Sequence, residues 1–400
     1  MLEQVGAFDP IPREEIVRRI DGLKRRMVAG QMDFAVILQN VDRFYFTGTM
    51  QKGMVVIPVD GEPMVFVEKS VERARSECPI DIVPIKSDKD IKGILRDRGI
   101  LQGIAGFEFD VLPLTVFDRL KRITGVGRCA DISSFIKEVR VVKSAFEIEQ
   151  MRKSAEILSR VFAKARQIIR EDAREIDLDA ELTAEGRKLG HQGFLRMRGL
   201  NQEMLTITVT SGFTAAASSC ADVPIGGVGV TPALPQGSSL KKIAKGIPVL
   251  IDYGGAYNGY TTDETRAFVT GKLEDIFEKP YEATREIIAD VLTHARAGVD
   301  CTEVFARAHG IAKAAGLEDN FMGYGQGKVS FIGHGLGLEI NELPVITGRH
   351  HRLLKKGMVF AFEPKFILPG YGAIGMEIDL VVTESGVERL TSDPIDLIYF

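Results

Sequence analysis

Apolar positions recur at helical or strand spacing along most of the chain. Between residues 13 and 29 they fall three and four positions apart, which predicts an amphipathic helix. Strand-like apolar runs and one further helical segment, over 111–122, indicate a small α/β domain. The predicted strands are 34–38, 54–59, 64–67 and 104–107. Because few chemically active side chains group in this region, we expect a scaffold or interface domain.

The start of a second domain is marked by a predicted helix with a capping box. Ser144 and Glu147 have the spacing at which each side chain accepts the backbone N–H of the other residue. An apolar stripe of helical spacing then continues to residue 169. A single core rarely grows beyond about 250–300 residues. We therefore predict two domains, 1–139 and 140–400.

The second domain has further helical and strand-like segments, separated by a long segment rich in glycine and proline. Residues 223–239 lack helical spacing and predict a loop of the length that is often functional. Helices are predicted near 176–190, 279–297 and 302–315. Strands are predicted at 204–210, 249–253, 265–269, 358–362 and 378–383.

Composition is that of an ordinary globular protein, with 26% charged residues, 45% hydrophobic residues and a net charge of -4. This near balance, without a basic block, gives no reason to expect nucleic acid as a partner. No apolar run approaches the roughly 18–20 residues that span a membrane. The charged N-terminus is unlike a signal peptide, and the four widely spaced cysteines are interpreted as buried, reduced thiols. These features predict a cytoplasmic protein.

Carboxylates and one imidazole recur in apolar or glycine-rich segments of the second domain. Asp252 and Asp263 flank a segment that could form a hairpin, and His334 lies between glycines. Glu363 and Glu377 lie in apolar strands. Each alone has an ordinary explanation, as a turn former, an outward-facing strand residue or a hydrogen-bonded histidine. As a set, the four carboxylates would repel one another strongly unless cations neutralised them. Two divalent ions would do so, and this ligand set suits Mn²⁺, Fe²⁺, Co²⁺ or Zn²⁺ without choosing among them.

These segments resemble the metallopeptidases of the creatinase, prolidase and methionine aminopeptidase group, which share the pita-bread fold. The resemblance is carried by DYGGAYNGYTTDETRAF, GHGLGLEINELP, MVFAFEPKF and GMEIDLVVTESG. It extends over nearly the whole chain, because DFAVILQNVDRFYFTG is similar to the smaller domain of the prolidase and creatinase branch. Typical methionine aminopeptidases lack that domain. The resemblance implies an α/β (α+β) protein, with a small N-terminal creatinase/prolidase-type α/β domain followed by a pita-bread catalytic domain.

The resemblance also implies roles for the five candidate ligands. Asp252 would chelate one metal ion, His334 and Glu363 would hold the other, and Asp263 and Glu377 would bridge the two. Glu363 would also carry the proton from the nucleophile to the leaving nitrogen. The implied protein is a homodimeric peptidase that hydrolyses the N-terminal bond of Xaa-Pro dipeptides or peptides through a metal-bridging hydroxide. Mn²⁺ or Co²⁺ are the preferred ions, with Zn²⁺ or Fe²⁺ as further candidates.

Two histidines that contact the substrate in proline-specific members are absent from this chain. Asn341 stands seven residues after His334 where one is expected, and Ser219 and Cys220 stand in the loop where the other is expected. The carboxamide of Asn341 could donate a hydrogen bond in place of the first histidine. Neither Ser219 nor Cys220 can act as an imidazole acid, and Cys220 is interpreted as a small buried residue.

Other departures leave the substrate open. Gly375 stands where the family has an arginine, and Arg349 is our candidate for binding a substrate carboxylate. A solvated basic turn explains Arg349 equally well. One alternative function is a pita-bread enzyme that uses the same metals on a non-peptide small molecule, as another C–N hydrolase or as a lyase. The other is a catalytically silent binding module, which the complete ligand set argues against.

Overall fold

The computed structural model describes residues 9–100 and 103–400 of the chain. It divides into two units. The first contains the chain up to Arg140 together with Arg198–Gln202, and the second contains Val141–Met197 and Glu203–Phe400. Among the described residues, no helix combines the length and the apolar character needed to cross a membrane.

The first unit is built on a mixed six-stranded sheet, in the order β4-β3-β2-β1-β5-β6. Strand β1 pairs antiparallel with β2 and parallel with β5. Its strands are β1 (Phe34–Ile37), β2 (Gly53–Pro58), β3 (Met64–Val67), β4 (Ile82–Pro84), β5 (Ile104–Phe107) and β6 (Arg128–Asp131). Its helices are α1 (Arg13–Ala29), α2 (Asn40–Thr47), α3 (Val71–Glu77), α4 (Asp88–Asp97), α5 (Leu114–Thr124) and α6 (Ser133–Arg140). Every residue of β1 and β3 is buried, which explains their continuous apolar sequences.

The elements predicted in this unit are confirmed, and several short ones were missed. Helix α1 has the predicted bounds, and all four predicted strands are present within a residue or two. Helix α5 begins later than predicted, after Pro113, and ends against Gly125, whose left-handed conformation suits a C-cap. The missed elements are too short to show a sustained apolar period. They are α2, α3, α4, α6, β4 and β6.

The second unit contains a five-stranded sheet, a four-stranded sheet and a two-stranded hairpin. Their orders are β11-β10-β12-β15-β16, β17-β9-β8-β7 and β13-β14. The helices are α7 (Ala145–Ile168), α8 (Glu175–Lys188), α9 (Glu278–His294) and α10 (Cys301–Ala314). The strands of the four-stranded sheet are β7 (Ile207–Ser211), β8 (Val249–Tyr257), β9 (Tyr260–Val269) and β17 (Ile398–Tyr399). The remaining strands are β10 (Phe331–Gly335), β11 (Glu342–Thr347), β12 (Val359–Phe362), β13 (Lys365–Leu368), β14 (Gly372–Gly375), β15 (Ile378–Val382) and β16 (Val387–Arg389).

Two apolar cores hold this unit together. One packs α7 and α8 against the four-stranded sheet, and the other packs α9 and α10 with the strands from β10 to β15. The predicted capping box of α7 is confirmed: Ser144 Oγ accepts Glu147 N at 3.2 Å, and Glu147 Oε2 accepts Ser144 N at 3.0 Å. The predicted loop over 223–239 contains isolated bridges and neither a helix nor a strand. The mixed architecture of both units confirms the predicted α/β class.

Candidate metal centre

Asp252 and Asp263 lie on the two strands of one hairpin, as the sequence predicted. Strands β8 and β9 are joined at Asn258 and Gly259, whose φ angles of 49° and 85° are typical of a type I′ turn. The register places Asp252 opposite Thr265 and Asp263 opposite Gly254. Positions that are opposite one another, or two apart, share one face of a sheet. Both carboxylates therefore project to the same side of the hairpin.

His334, Glu363 and Glu377 come from the five-stranded sheet or from the residues next to its strands. His334 is on β10, Glu363 follows β12, and Glu377 precedes β15. The antiparallel register of β12 and β15 places the two glutamates opposite each other. The backbone N–H of Glu377 donates to Thr265 O at 3.1 Å, which ties this sheet to strand β9. The five predicted ligands are thus brought together from two sheets.

One side of the cluster has the donor atoms and spacing of a metal site. His334 Nε2 lies 3.8 Å from Asp263 Oδ2, 3.9 Å from Glu363 Oε1 and 3.8 Å from Glu377 Oε1. These separations are too long for hydrogen bonds. Zinc ligands lie about 2.0–2.2 Å from the ion, so two ligand atoms of one such ion are within about 4.4 Å. Asp263 Oδ1 and Glu377 Oε1 are buried and accept no hydrogen bond among the described residues. These residues therefore fit a divalent cation.

The other side of the cluster already contains a cation, the ammonium group of Lys365. Its Nζ lies 3.1 Å from Asp252 Oδ2, 2.9 Å from Glu363 Oε2 and 2.8 Å from Glu377 Oε2. Sequence reasoning missed Lys365. The sequence did contain a signal for it. Lys365 lies two positions after Glu363 in an apolar segment, and strand alternation places residues with this spacing on one face.

Burial and charge repulsion shift the pKa values of the cluster. Burial, followed by the nearby charges of Glu377 and Asp252, raises the pKa of Asp263 well above its usual range. Burial raises the pKa of Glu377 as well. Burial alone would lower the pKa of Lys365, but its carboxylate neighbours outweigh this and hold it well above its usual value. Asp263 and Glu377 consequently need nearby cations to be fully ionised.

Further residues, also missed from the sequence, orient the ligands. Thr265 Oγ1 lies 3.0 Å from Asp252 Oδ2 and 2.9 Å from Glu377 Oε2, and can donate its hydrogen to either. Asp379 Oδ2 accepts the backbone N–H of Asp263 at 2.9 Å. Asp379 lies on β15, two positions after Glu377, so strand alternation again contained the signal.

The residues predicted to bind the substrate lie in loops. Asn341 is exposed between β10 and β11. Arg349 is exposed after β11, with its backbone N–H donating to Thr347 Oγ1 at 3.4 Å. Their roles in substrate binding stay predictions.

The loop cysteine differs from the prediction. The interpretation of Cys220 as a buried thiol is wrong, because Cys220 is exposed. It lies in the segment after β7 and belongs to no helix or strand. Its neighbour Ser219 accepts the N–H of Ala221 at 3.0 Å.

Comparisons with known proteins agree with this architecture. The model of metallopeptidase family M24 matches residues 149–384, and that of the creatinase/prolidase N-terminal domain matches residues 19–142. A protein of Pyrococcus furiosus named Xaa-Pro dipeptidase is 30% identical over 383 residues, covering 95% of this chain and 99% of the relative. The structure of an Xaa-Pro dipeptidase from Bacillus anthracis has a TM-score of 0.82 at 25% identity, covering 96% of this chain and 100% of that one. The prolidase from Pyrococcus horikoshii shares the fold, with a TM-score of 0.79 at 24% identity and coverage of 95% and 99%.

The fold and the carboxylate–histidine cluster define a metallohydrolase with an N-terminal creatinase/prolidase domain and a pita-bread catalytic domain. The chain belongs to metallopeptidase family M24.

Proposed function

We propose that this chain is a metal-dependent peptidase that hydrolyses the N-terminal peptide bond of Xaa-Pro dipeptides or short peptides. The observation that carries this proposal is the cluster at His334 Nε2, which lies 3.8 Å from both Asp263 Oδ2 and Glu377 Oε1. Among the described residues, Asp263 Oδ1 and Glu377 Oε1 accept no hydrogen bond. The substrate class is supported by the names of the relatives that match nearly the whole chain.

The roles of the residues follow from their positions. A bound divalent ion would act as a Lewis acid toward the scissile carbonyl and would lower the pKa of a water. Glu363, with one oxygen toward His334 and the other on Lys365, is our choice for moving the proton from water to the leaving nitrogen. Asn341 would donate a hydrogen bond to the carbonyl oxygen as negative charge develops on it. Arg349 would bind the free carboxylate of a dipeptide.

The finer properties of the enzyme are part of the same proposal. The mixed oxygen and nitrogen ligands suit Mn²⁺, Co²⁺, Zn²⁺ and Fe²⁺ alike, and the family resemblance favours Mn²⁺ or Co²⁺, with Zn²⁺ or Fe²⁺ as alternatives. We also propose a cytoplasmic homodimer with a domain boundary at residues 139 and 140. The family resemblance supports the dimer, the free cysteines support the location, and the capping box at Ser144 supports the boundary.

A second candidate is a metalloenzyme of the same fold that acts on a non-peptide small molecule, as a C–N hydrolase or a lyase. Two observations favour it. Asn341 and Ser219 stand where proline-specific members have histidines, and Lys365 places a fixed ammonium among the candidate ligands.

The test is a hydrolysis assay on chelated enzyme reconstituted separately with Mn²⁺, Co²⁺ or Zn²⁺. Substrates would be Xaa-Pro dipeptides, longer Xaa-Pro peptides and dipeptides without proline. We expect chelator-sensitive cleavage of Xaa-Pro bonds. Metal-loaded enzyme that cleaves none of these peptides would contradict the peptidase proposal and favour the non-peptide substrate.

Arg349→Ala separates the carboxylate-binding role from general effects of charge. We expect it to raise KM for free dipeptides and to leave KM for C-terminally amidated substrates unchanged. Lys356→Ala, which removes another exposed basic residue nearby in the sequence, is the matched control. Equal effects on free and amidated substrates would refute the assignment.

A further inference from the structure

Lys365 is directed into the centre by the register of its strand. It lies two positions after Glu363, so the two side chains share one face. The β13-β14 hairpin pairs Lys365 with Gly375. A Cβ at position 375 would lie 2.7 Å from Lys365 Cγ and 2.6 Å from Pro364 O, closer than such atoms can approach. Glycine at position 375 therefore leaves room for the side chain of Lys365.

The ammonium group of Lys365 has a carboxylate partner for each of its N–H donors. A lysine ammonium has three N–H donors, and Nζ has one carboxylate oxygen within 3.1 Å for each: Asp252 Oδ2, Glu363 Oε2 and Glu377 Oε2. The side chain of Lys365 is only 3% exposed. Both glutamates direct one oxygen to Lys365 and the other toward His334.

We propose that the Lys365 ammonium takes the place of one of the two metal ions, so that the centre binds a single divalent ion. The ligands of that ion would be Asp263, His334, Glu363 and Glu377. Asp252 would then pair with Lys365 instead of binding metal. This differs from the two ions that the family resemblance implies. The inference concerns the site of the proposed peptidase, but it does not depend on which substrate is cleaved.

The charges of the centre agree with one ion. In their ionised forms, the four carboxylates and the Lys365 ammonium carry three net negative charges. One divalent ion leaves a single negative charge. A second ion would make the net charge of the centre positive. It would also lie beside the Lys365 ammonium, and like charges repel strongly in a buried site because the local dielectric constant is low. Three of the carboxylate oxygens on that side of the centre, Asp252 Oδ2, Glu363 Oε2 and Glu377 Oε2, already bind Lys365.

The test counts metal ions directly. Purified enzyme would be chelated, incubated with excess Mn²⁺, freed of unbound metal by gel filtration and analysed by inductively coupled plasma mass spectrometry. We expect one ion per chain in the wild type. Two ions per chain would overturn the proposal.

Variants of residues on the two sides of the centre show which side binds the ion. Asp252→Asn should retain one ion, whereas His334→Ala should lose it. Loss of metal in Asp252→Asn, with the fold retained by circular dichroism, would contradict the proposal because it would make Asp252 a ligand. Lys365→Ala should gain a second ion, and Lys272→Ala, at an exposed lysine, should remain at one. If Lys365→Ala does not fold, the wild-type and Asp252→Asn counts still decide the question.

The count is also independent of the peptide assay. One ion with no peptide cleaved would support this inference and contradict the proposed substrate. Two ions with Xaa-Pro cleavage would contradict this inference and support the proposed function.

Discussion

Asp379 Oδ2 accepts the backbone N–H of Asp263 at 2.9 Å, and both residues are almost completely buried. This hydrogen bond fixes the strand segment that carries a proposed metal ligand. It also gives that buried N–H an acceptor, which it would otherwise lack.

Asp379→Ala should therefore destabilise the protein by about 1–3 kcal/mol, since it leaves a buried donor unpaired. Asp379→Asn keeps an acceptor oxygen and avoids burying a charge, so it should be at least as stable as the wild type. Urea unfolding followed by circular dichroism measures both. A stable alanine variant, or an equal loss in both variants, would contradict this role.

The buried pair of Arg266 and Glu264 supports the strand from the opposite side. Arg266 Nη2 lies 2.7 Å from Glu264 Oε2, and Nη1 donates to Glu377 O at 2.7 Å. Arg266→Met leaves the Glu264 carboxylate buried without its cationic partner, and breaking a buried ion pair in this way typically costs about 3–5 kcal/mol. The exposed pair of Lys272 and Asp275 is the matched control, and Lys272→Met should cause no measurable loss. Similar unfolding midpoints for the two variants would refute the prediction.

Asp110 in the first unit should make stability depend on acid pH. It contacts Arg198 at 2.7 and 2.9 Å and Lys137 at 2.7 Å. Burial alone would raise the pKa of Asp110, but these cations hold it well below its usual range. A depressed carboxyl pKa stabilises the fold above the unfolded pKa of about 3.9, and the stabilisation is lost as pH falls through the folded value.

Asp110→Asn should consequently be less stable than the wild type at neutral pH, and the difference should shrink below about pH 4. Unfolding by urea at a series of pH values gives the difference directly. A difference that stays constant down to about pH 3 would show that the Asp110 charge contributes nothing to it.

The cysteines should differ sharply in reactivity. Burial raises the pKa of Cys78 to about 11 and that of Cys301 to about 12, so both thiols are protonated at neutral pH. Cys220 is exposed. Iodoacetamide labelling of the native protein, mapped by mass spectrometry, should modify Cys220 rapidly and should modify Cys78 and Cys301 only after denaturation. Cys220→Ser should remove the rapid phase. Rapid native labelling of Cys301 would contradict the packing described here.

Much of the fold was predictable because local patterns agreed with it. The bounds of α1, the capping box at Ser144 and the turn that joins Asp252 to Asp263 are set by residues close together in the sequence. The order and spacing of the five candidate ligands likewise identified the segments that converge. Short elements such as α2 have no sustained period and were therefore missed.

The contents of the centre were less predictable, because they depend on contacts between distant strands. Alternation places Lys365 and Glu363 on one face, but a surface lysine would have the same spacing. Its burial follows from the pairing with Gly375 and from Asp252, which lies in a different sheet. Asn341 and Arg349 lie in loops, where no periodic pattern indicates the direction of a side chain.

The most direct test of the one-ion centre is anomalous X-ray diffraction from crystals of the Mn²⁺-reconstituted enzyme. We predict one manganese peak, bonded to Asp263, His334, Glu363 and Glu377, with Lys365 Nζ still paired to Asp252. Two manganese peaks sharing Asp263 and Glu377, with the Lys365 ammonium displaced from the centre, would contradict the account.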